Sequence, residues 1–150
     1  LGADLQVEPV RGQMLVFKAK PDLLSTMVLD EGKYLIPRKD GHILIGSTLE
    51  YVGFQNVTTQ VALDELESAA YDMLPELAQY PIEKHWAGLR PGSPEGIPYI
   101  GPHPQVAGLF VNTGHFRNGV VLGLASAKLL ADLVSERTPE ISPAPYRLDR

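Results

Sequence analysis

The chain has 150 residues, of which 44% are hydrophobic and 21% charged, the balance of a folded globular domain rather than a disordered segment. A net charge of −5 without any basic stripe excludes a nucleic-acid backbone as the main partner, though not a small anion held by one or two cations. The absence of cysteine removes disulfides, thiolate catalysis and cysteine-based metal sites, and fits a reducing, cytoplasmic setting.

The longest apolar stretch, around Val120–Ala127, is too short to span a bilayer, so no membrane partner is expected. Leu1–Glu8 lacks the basic and apolar regions of a signal peptide. The start at Leu rather than Met points to a fragment or a processed chain.

In chain order, Gln13–Phe17 is a short apolar run behind an Arg11-Gly12 turn signal. Thr26–Leu29 and Tyr34–Ile36 are two more, joined by Asp30-Glu31-Gly32-Lys33 as a hairpin loop. Pro37 cannot donate to a ladder, so the run before it ends there or lies at an edge. Lys39-Asp40-Gly41 predicts a tight turn, because Asp-Gly supplies positive φ, and His42–Ile45 returns from it to Gly46. The sum is an antiparallel meander.

From Thr59 the period becomes helical. Val61, Leu63, Leu66, Ala69, Ala70, Met73 and Leu74 form the apolar face, Asp64, Glu65 and Glu67 lie early, Thr58 or Thr59 caps, and Pro75 stops the helix. Glu83–Leu89 predicts a strand that runs into a Pro- and Gly-rich loop, Arg90–Gly96. Leu109–Asn112 is a buried-type strand, and Val120–Glu136 is the longest helix, with Leu122, Ala125, Leu129, Leu130 and Leu133 for its core face. The Pro-rich tail from Pro139 is expected to be extended and loosely held.

Common catalytic motifs are missing. There is no G-x-G-x-x-G fingerprint, no H-E-x-x-H pairing among the four scattered histidines, so no metal site is expected, and no G-x-S-x-G elbow. Gly114–Gly119 has the spacing of a P-loop, but Val120 stands where a lysine must reach phosphate.

What stands out is a helix start. The turn Thr113-Gly114-His115-Phe116-Arg117-Asn118-Gly119 places an arginine and no acid where the helix dipole is positive, at a cost of about 0.3–1 kcal/mol. A docked anion would offset that cost, facing both the free amides and Arg117. The alternative is that Arg117 pairs with a surface acid while Asn118 merely caps the helix, and spacing alone balances the two. Arg90, between the apolar Trp86-Ala87-Gly88-Leu89 and a rigid loop, is placed either to grip a carboxylate through two hydrogen bonds or to form a structural ion pair. Tyr34 and Trp86 are read first as packing residues.

Taken together, five stretches resemble the glycine oxidase branch of the D-amino-acid oxidase family of FAD-dependent oxidoreductases. They are Tyr34-Leu-Ile-Pro-Arg38, Gly41–Thr48, Trp86-Ala-Gly-Leu-Arg-Pro-Gly92, Pro98-Tyr-Ile-Gly101 and Gly114-His-Phe-Arg-Asn-Gly119. Their order and separation are also similar to the family's, over nearly the whole chain.

The resemblance implies an α+β fold: a mainly antiparallel sheet with a packed helix, followed by a strand and helix that belong to the FAD domain. The domains expected are 1–105 for substrate binding, 106–138 for that strand and helix, and 139–150 as a tail. The resemblance also implies oxidation of a small amino acid, with hydride passing to flavin, the imine then hydrolysing, and thiamine biosynthesis as one setting. Arg90 would hold the substrate carboxylate with Tyr34 and Arg117, and Leu49 would line the pocket. His115, Phe116, Arg117, Asn118, Gly119, Val120 and Val121 would contact the flavin. No side-chain acid or base is implied.

The family's nucleotide-gripping front half has no counterpart here, so the chain alone is expected to hold FAD weakly, to be inactive, and to self-associate through the apolar surface left uncovered. A different class of reading is a non-catalytic module that binds carboxylate or phosphate.

Overall fold

The computed structural model describes residues 5–150. The first four residues of the expected 1–105 domain lie outside them. The chain divides into two compact units, one spanning Val10–Leu89 and the other comprising Arg90–Arg150 with the segment that ends at Pro9.

The first unit is built on strands β1 (Glu8–Lys18), β2 (Val28–Asp30), β3 (Lys33–Pro37), β4 (His42–Gly46) and β5 (Ile82–Gly92), in the sheet order β2-β3-β4-β1-β5. The pairs β2–β3, β3–β4 and β4–β1 are antiparallel. Both expected turns form. Glu31 and Gly32 take φ of 42° and 82°, as a two-residue hairpin loop requires, and Gly41 takes 93°. Pro37 is the last residue of β3.

Helix α1 (Gln60–Met73) starts on Thr59, whose hydroxyl accepts from the Ala62 amide, and gives way at Leu74 to a 3-10 turn beginning with Pro75. Its Leu66 and Ala70 pack with Leu15, Phe17, Leu35, Ile43 and Ile45, the inward residues of β1, β3 and β4 by the two-residue period. Burying each large side chain there contributes about 1.5–3 kcal/mol.

Helix α1 departs from expectation in two ways. Val61 is 77% exposed while Ala62 is buried, so the core face begins one residue later. No acid lies in the first turn. Instead Asp64 accepts from Gln60, Glu65 from Lys33, and Glu67 from Tyr71, so these acids are held by side chains rather than by the dipole.

Arg11-Gly12 is not a turn but the middle of β1. Arg11 is buried because Glu50 pairs with it across an isolated bridge. Likewise β5 runs on through Arg90 and Pro91 to Gly92.

In the second unit, β6 (Tyr99–Pro102) pairs antiparallel with β7 (Phe110–Thr113), and α2 (Gly119–Val134) packs on both. Strand β6 was not foreseen. The buried line of α2 is Ser126, Leu129 and Asp132, and Ala125, expected inside, is exposed. Asp132 is tolerated there because Lys128 and Arg137 both pair with it. The tail is not loose: it makes a 3-10 turn at Ala144–Tyr146 and buries Leu148. Arg150 donates to the Ile97 carbonyl at 2.6 Å and stacks 4.4 Å from the Tyr99 ring centre.

Candidate functional site

Arg90 is half-buried near the end of β5. The next residue, Pro91, accepts a 3.0 Å hydrogen bond from the Phe116 amide. Two residues on, Ser93 Oγ donates to the Gly114 carbonyl at 2.6 Å. The two segments that carry Arg90 and Arg117 are therefore laced together by one backbone hydrogen bond and one from a serine side chain. Gly114 is required at this junction: its φ is 77°, and a Cβ there would stand 3.1 Å from Ser93 Cβ. Phe116 takes φ of 48°, uncommon without glycine, and its amide faces Pro91 in that conformation. The Asn118 amide closes the turn on His115, and His115 Nε2 meets Ser126 Oγ of α2 at 2.8 Å.

The start of α2 has no side-chain cap from Asn118 and no acid in its first turn. Among the described residues Arg117 forms no ion pair. Asn118 does stand at the N-cap, its carbonyl accepting from the Leu122 amide at 2.9 Å, but its side chain makes no capping bond, and the Arg117 ion pair of the alternative reading does not form. Arg117, Asn118 and Gly119 are exposed, and Val120 and Val121 are 99% and 84% exposed. The first-turn amides and the exposed Arg117 guanidinium give this helix start a positive character that suits an anion.

Tyr34 and Leu49 lie in the other unit. Tyr34 is half-buried on β3, directly across from Gly46 on β4. Leu49 is 47% exposed between two anchored neighbours. The Glu50 carboxylate accepts from Arg11 Nε at 3.1 Å, Gln13 Nε2 at 2.8 Å and Thr48 Oγ1 at 2.5 Å. Gln13 also accepts from the Thr59 amide at 2.9 Å, which ties the same network to the cap of α1. Burial alone would raise the Glu50 pKa; the hydrogen bonds from Arg11, Thr48 and Gln13 and the Arg11 charge outweigh it and hold the value at about 2.

Sequence reasoning missed this network. The available signal was Arg11 and Gln13, two polar residues in phase with Leu15 and Phe17 on the inward side of one strand.

A groove of about 450 Å³ on the first unit is lined by Val16, Leu44, Trp86, Lys84 and His42, and by none of the expected substrate residues. Within it His42 lies 3.0 Å from Asp40 and 2.6 Å from Glu83, and these contacts, Asp40's first, raise its pKa. Among the described residues no cluster of His, Asp or Glu is arranged to hold a metal, and no helix is long and apolar enough to cross a membrane.

Comparison with known proteins places this geometry in context. The chain is 60% identical to a glycine oxidase of Pseudomonas aeruginosa over 97% of its own length, and 37% identical to the hydrogen cyanide synthase subunit HcnC of Pseudomonas protegens over a similar share. It superposes on the crystal structure of glycine oxidase from Geobacillus kaustophilus with a TM-score of 0.94 at 35% identity, covering 99% of this chain and 40% of that one. The chain thus spans about 40% of the length of the glycine oxidases it matches, and 35% of the cyanide synthase subunit. The profile of the family described as FAD dependent oxidoreductase (DAO) matches residues 1–133, and the chain belongs to that family.

Proposed function

We propose that this chain is the substrate-binding and flavin-facing part of an FAD-dependent amino-acid oxidoreductase of glycine oxidase type. Its substrate would be a small amino acid, such as glycine, sarcosine or a D-amino acid, taken to the imine and then by hydrolysis to the oxo acid. The single observation that carries this reading is the Pro91–Phe116 hydrogen bond. It fastens the strand end bearing Arg90 to the turn that opens α2, where Asn118 makes no side-chain capping bond. The similarity to glycine oxidases supports the same reading.

In this scheme bound FAD supplies the two-electron acceptor. Residues His115, Phe116, Arg117, Asn118, Gly119, Val120 and Val121 would hold its isoalloxazine edge, the amides favouring added negative charge there. Arg90 would take the substrate carboxylate through two parallel hydrogen bonds, with the Tyr34 hydroxyl and Arg117 as further donors, and Leu49 would face the substrate side chain. The chain then acts by binding and orientation, and no side chain is given a proton-transfer role. The domain assignment proposed is 1–105 for substrate binding, 106–138 for the cofactor-side strand and helix, and 139–150 for the tail. The partner proposed is a dinucleotide-binding half that grips the FAD phosphates.

The test is turnover by the flavin-loaded polypeptide that carries this chain together with such a unit. Glycine, sarcosine and D-alanine are offered in turn, and flavin bleaching without oxygen and peroxide release with it are followed. Arg90→Ala is expected to raise KM about 10- to 100-fold, the loss of charge-assisted hydrogen bonds to a carboxylate. If carboxylates bind but none of these amines bleaches the flavin, the oxidoreductase reading fails and the non-catalytic binding module takes its place.

A further inference from the structure

Gly46 closes β4 directly opposite Tyr34 of β3. A Cβ built on Gly46 would lie 2.8 Å from Tyr34 Oη, 2.9 Å from Tyr34 Cζ and 2.9 Å from Met14 Cε. The phenol end of Tyr34 therefore occupies the volume that any other residue at position 46 would fill. Met14 stands across from Gly46 on β1, so it bounds the same space from the other side.

The φ of Gly46 is not in the left-handed region, so φ does not demand glycine here. What demands it is the side chain across the ladder. This differs from Gly41, where the clashing atoms are backbone. At Gly46 they are the far ends of two flexible side chains, which can move aside. A methyl group here should thus leave the sheet standing and displace the tyrosine hydroxyl. Since ordinary contact needs more than 3.4 Å, the hydroxyl would have to shift by more than half an ångström. A hydrogen bond with a heavy-atom distance of 2.5–3.0 Å does not survive such a shift unchanged.

We infer that Gly46 is a positioning residue: the missing side chain at Gly46 seats the Tyr34 ring and sets where its hydroxyl points for the substrate carboxylate. This inference rests on the role proposed above for Tyr34.

The experiment is a double-variant cycle in the flavin-loaded full-length protein, with glycine as substrate, comparing Gly46→Ala, Tyr34→Phe and the pair. Tyr34→Phe is expected to raise KM about tenfold with kcat changed less, as loss of one hydrogen bond to a charged group does. Gly46→Ala is expected to raise KM several-fold with an unchanged flavin spectrum, and to have no further effect once position 34 is phenylalanine. If Tyr34→Phe leaves KM unchanged, the substrate role of Tyr34 fails. If Tyr34→Phe raises KM while Gly46→Ala does not, or if the two effects multiply independently, only the positioning inference fails. Loss of folding in both Gly46→Ala and the double variant also overturns it, because the glycine would then serve the sheet rather than the hydroxyl.

Discussion

At the scale of single residues, the Glu50 carboxylate is the most heavily engaged acid among the described residues. It sits between Arg11, Gln13 and Thr48, and its neighbour Leu49 owes its place to those anchors. Its pKa is lowered from 4.5 to about 2. A carboxylate lowered by folding stabilises the fold at pH values above the unfolded pKa, and that contribution fades as pH falls from about 4.5 towards 2. Glu50→Gln is therefore expected to cost about 1–3 kcal/mol at neutral pH, chiefly by leaving the buried Arg11 guanidinium without its countercharge. Urea midpoints for the two proteins should converge as pH is lowered through that window. A gap that stays constant from pH 7 to pH 3 would show that the charge of Glu50 does not contribute. His42 has the opposite sign. Its pKa is raised, first by Asp40 and then by Glu83, so its contribution is present below 6.5 and is lost as pH rises through the folded value.

At the scale of elements, the turn before β4 has little tolerance. Gly41 combines φ of 93° with a built Cβ 2.7 Å from the Lys20 carbonyl carbon and the Pro21 nitrogen. Gly41→Ala should destabilise the first unit by about 2–4 kcal/mol, the sum of a left-handed alanine and a backbone clash. Chemical denaturation followed by tyrosine and tryptophan emission would measure it, and a loss under 1 kcal/mol would mean that the turn can relax. The glycine at this turn was legible in the sequence because Asp-Gly demands positive φ locally, whatever the rest of the chain does. The same holds for Glu31-Gly32 and for Thr59 as a cap. Elements set by distant partners were not legible. Tyr99–Pro102 reads as loop, being flanked and ended by proline, and it becomes a strand because β7 lies beside it. The expected inward face of α2 holds for Leu122, Leu129, Leu130 and Leu133, which are buried or half-buried, and fails at Ala125. The inward line includes Asp132 because Lys128 and Arg137 accompany it. The tail looked unsupported because Ile97 and Tyr99, which hold Arg150, lie some fifty residues earlier.

At the scale of the whole molecule, several large apolar side chains stand open to solvent. Val120, Val121, Leu124 and Phe54 are each more than 80% exposed, and the first three crowd one end of α2. The chain alone is expected to associate with itself at rising concentration and to bind FAD weakly or not at all. Sedimentation velocity should show mass increasing with concentration, with Leu124→Glu reducing the effect, and a dialysed preparation mixed with FAD should emerge colourless. A monomer at all concentrations, or a yellow protein with one flavin per chain, would refute the corresponding expectation. The family was legible at this scale because its motifs are short, ordered runs whose spacing survives divergence. The charges of Arg90 and Arg117 are plain in the sequence, whereas the fit of Tyr34 against Gly46 depends on a missing side chain.

The Pro91–Phe116 bond, with the Ser93–Gly114 contact beside it, has a mechanical consequence. If the Arg90 strand end and the Arg117 turn each meet a ligand, both are bolted to a common bracket, and the spacing between the two ligands is gauged inside one short stretch of chain.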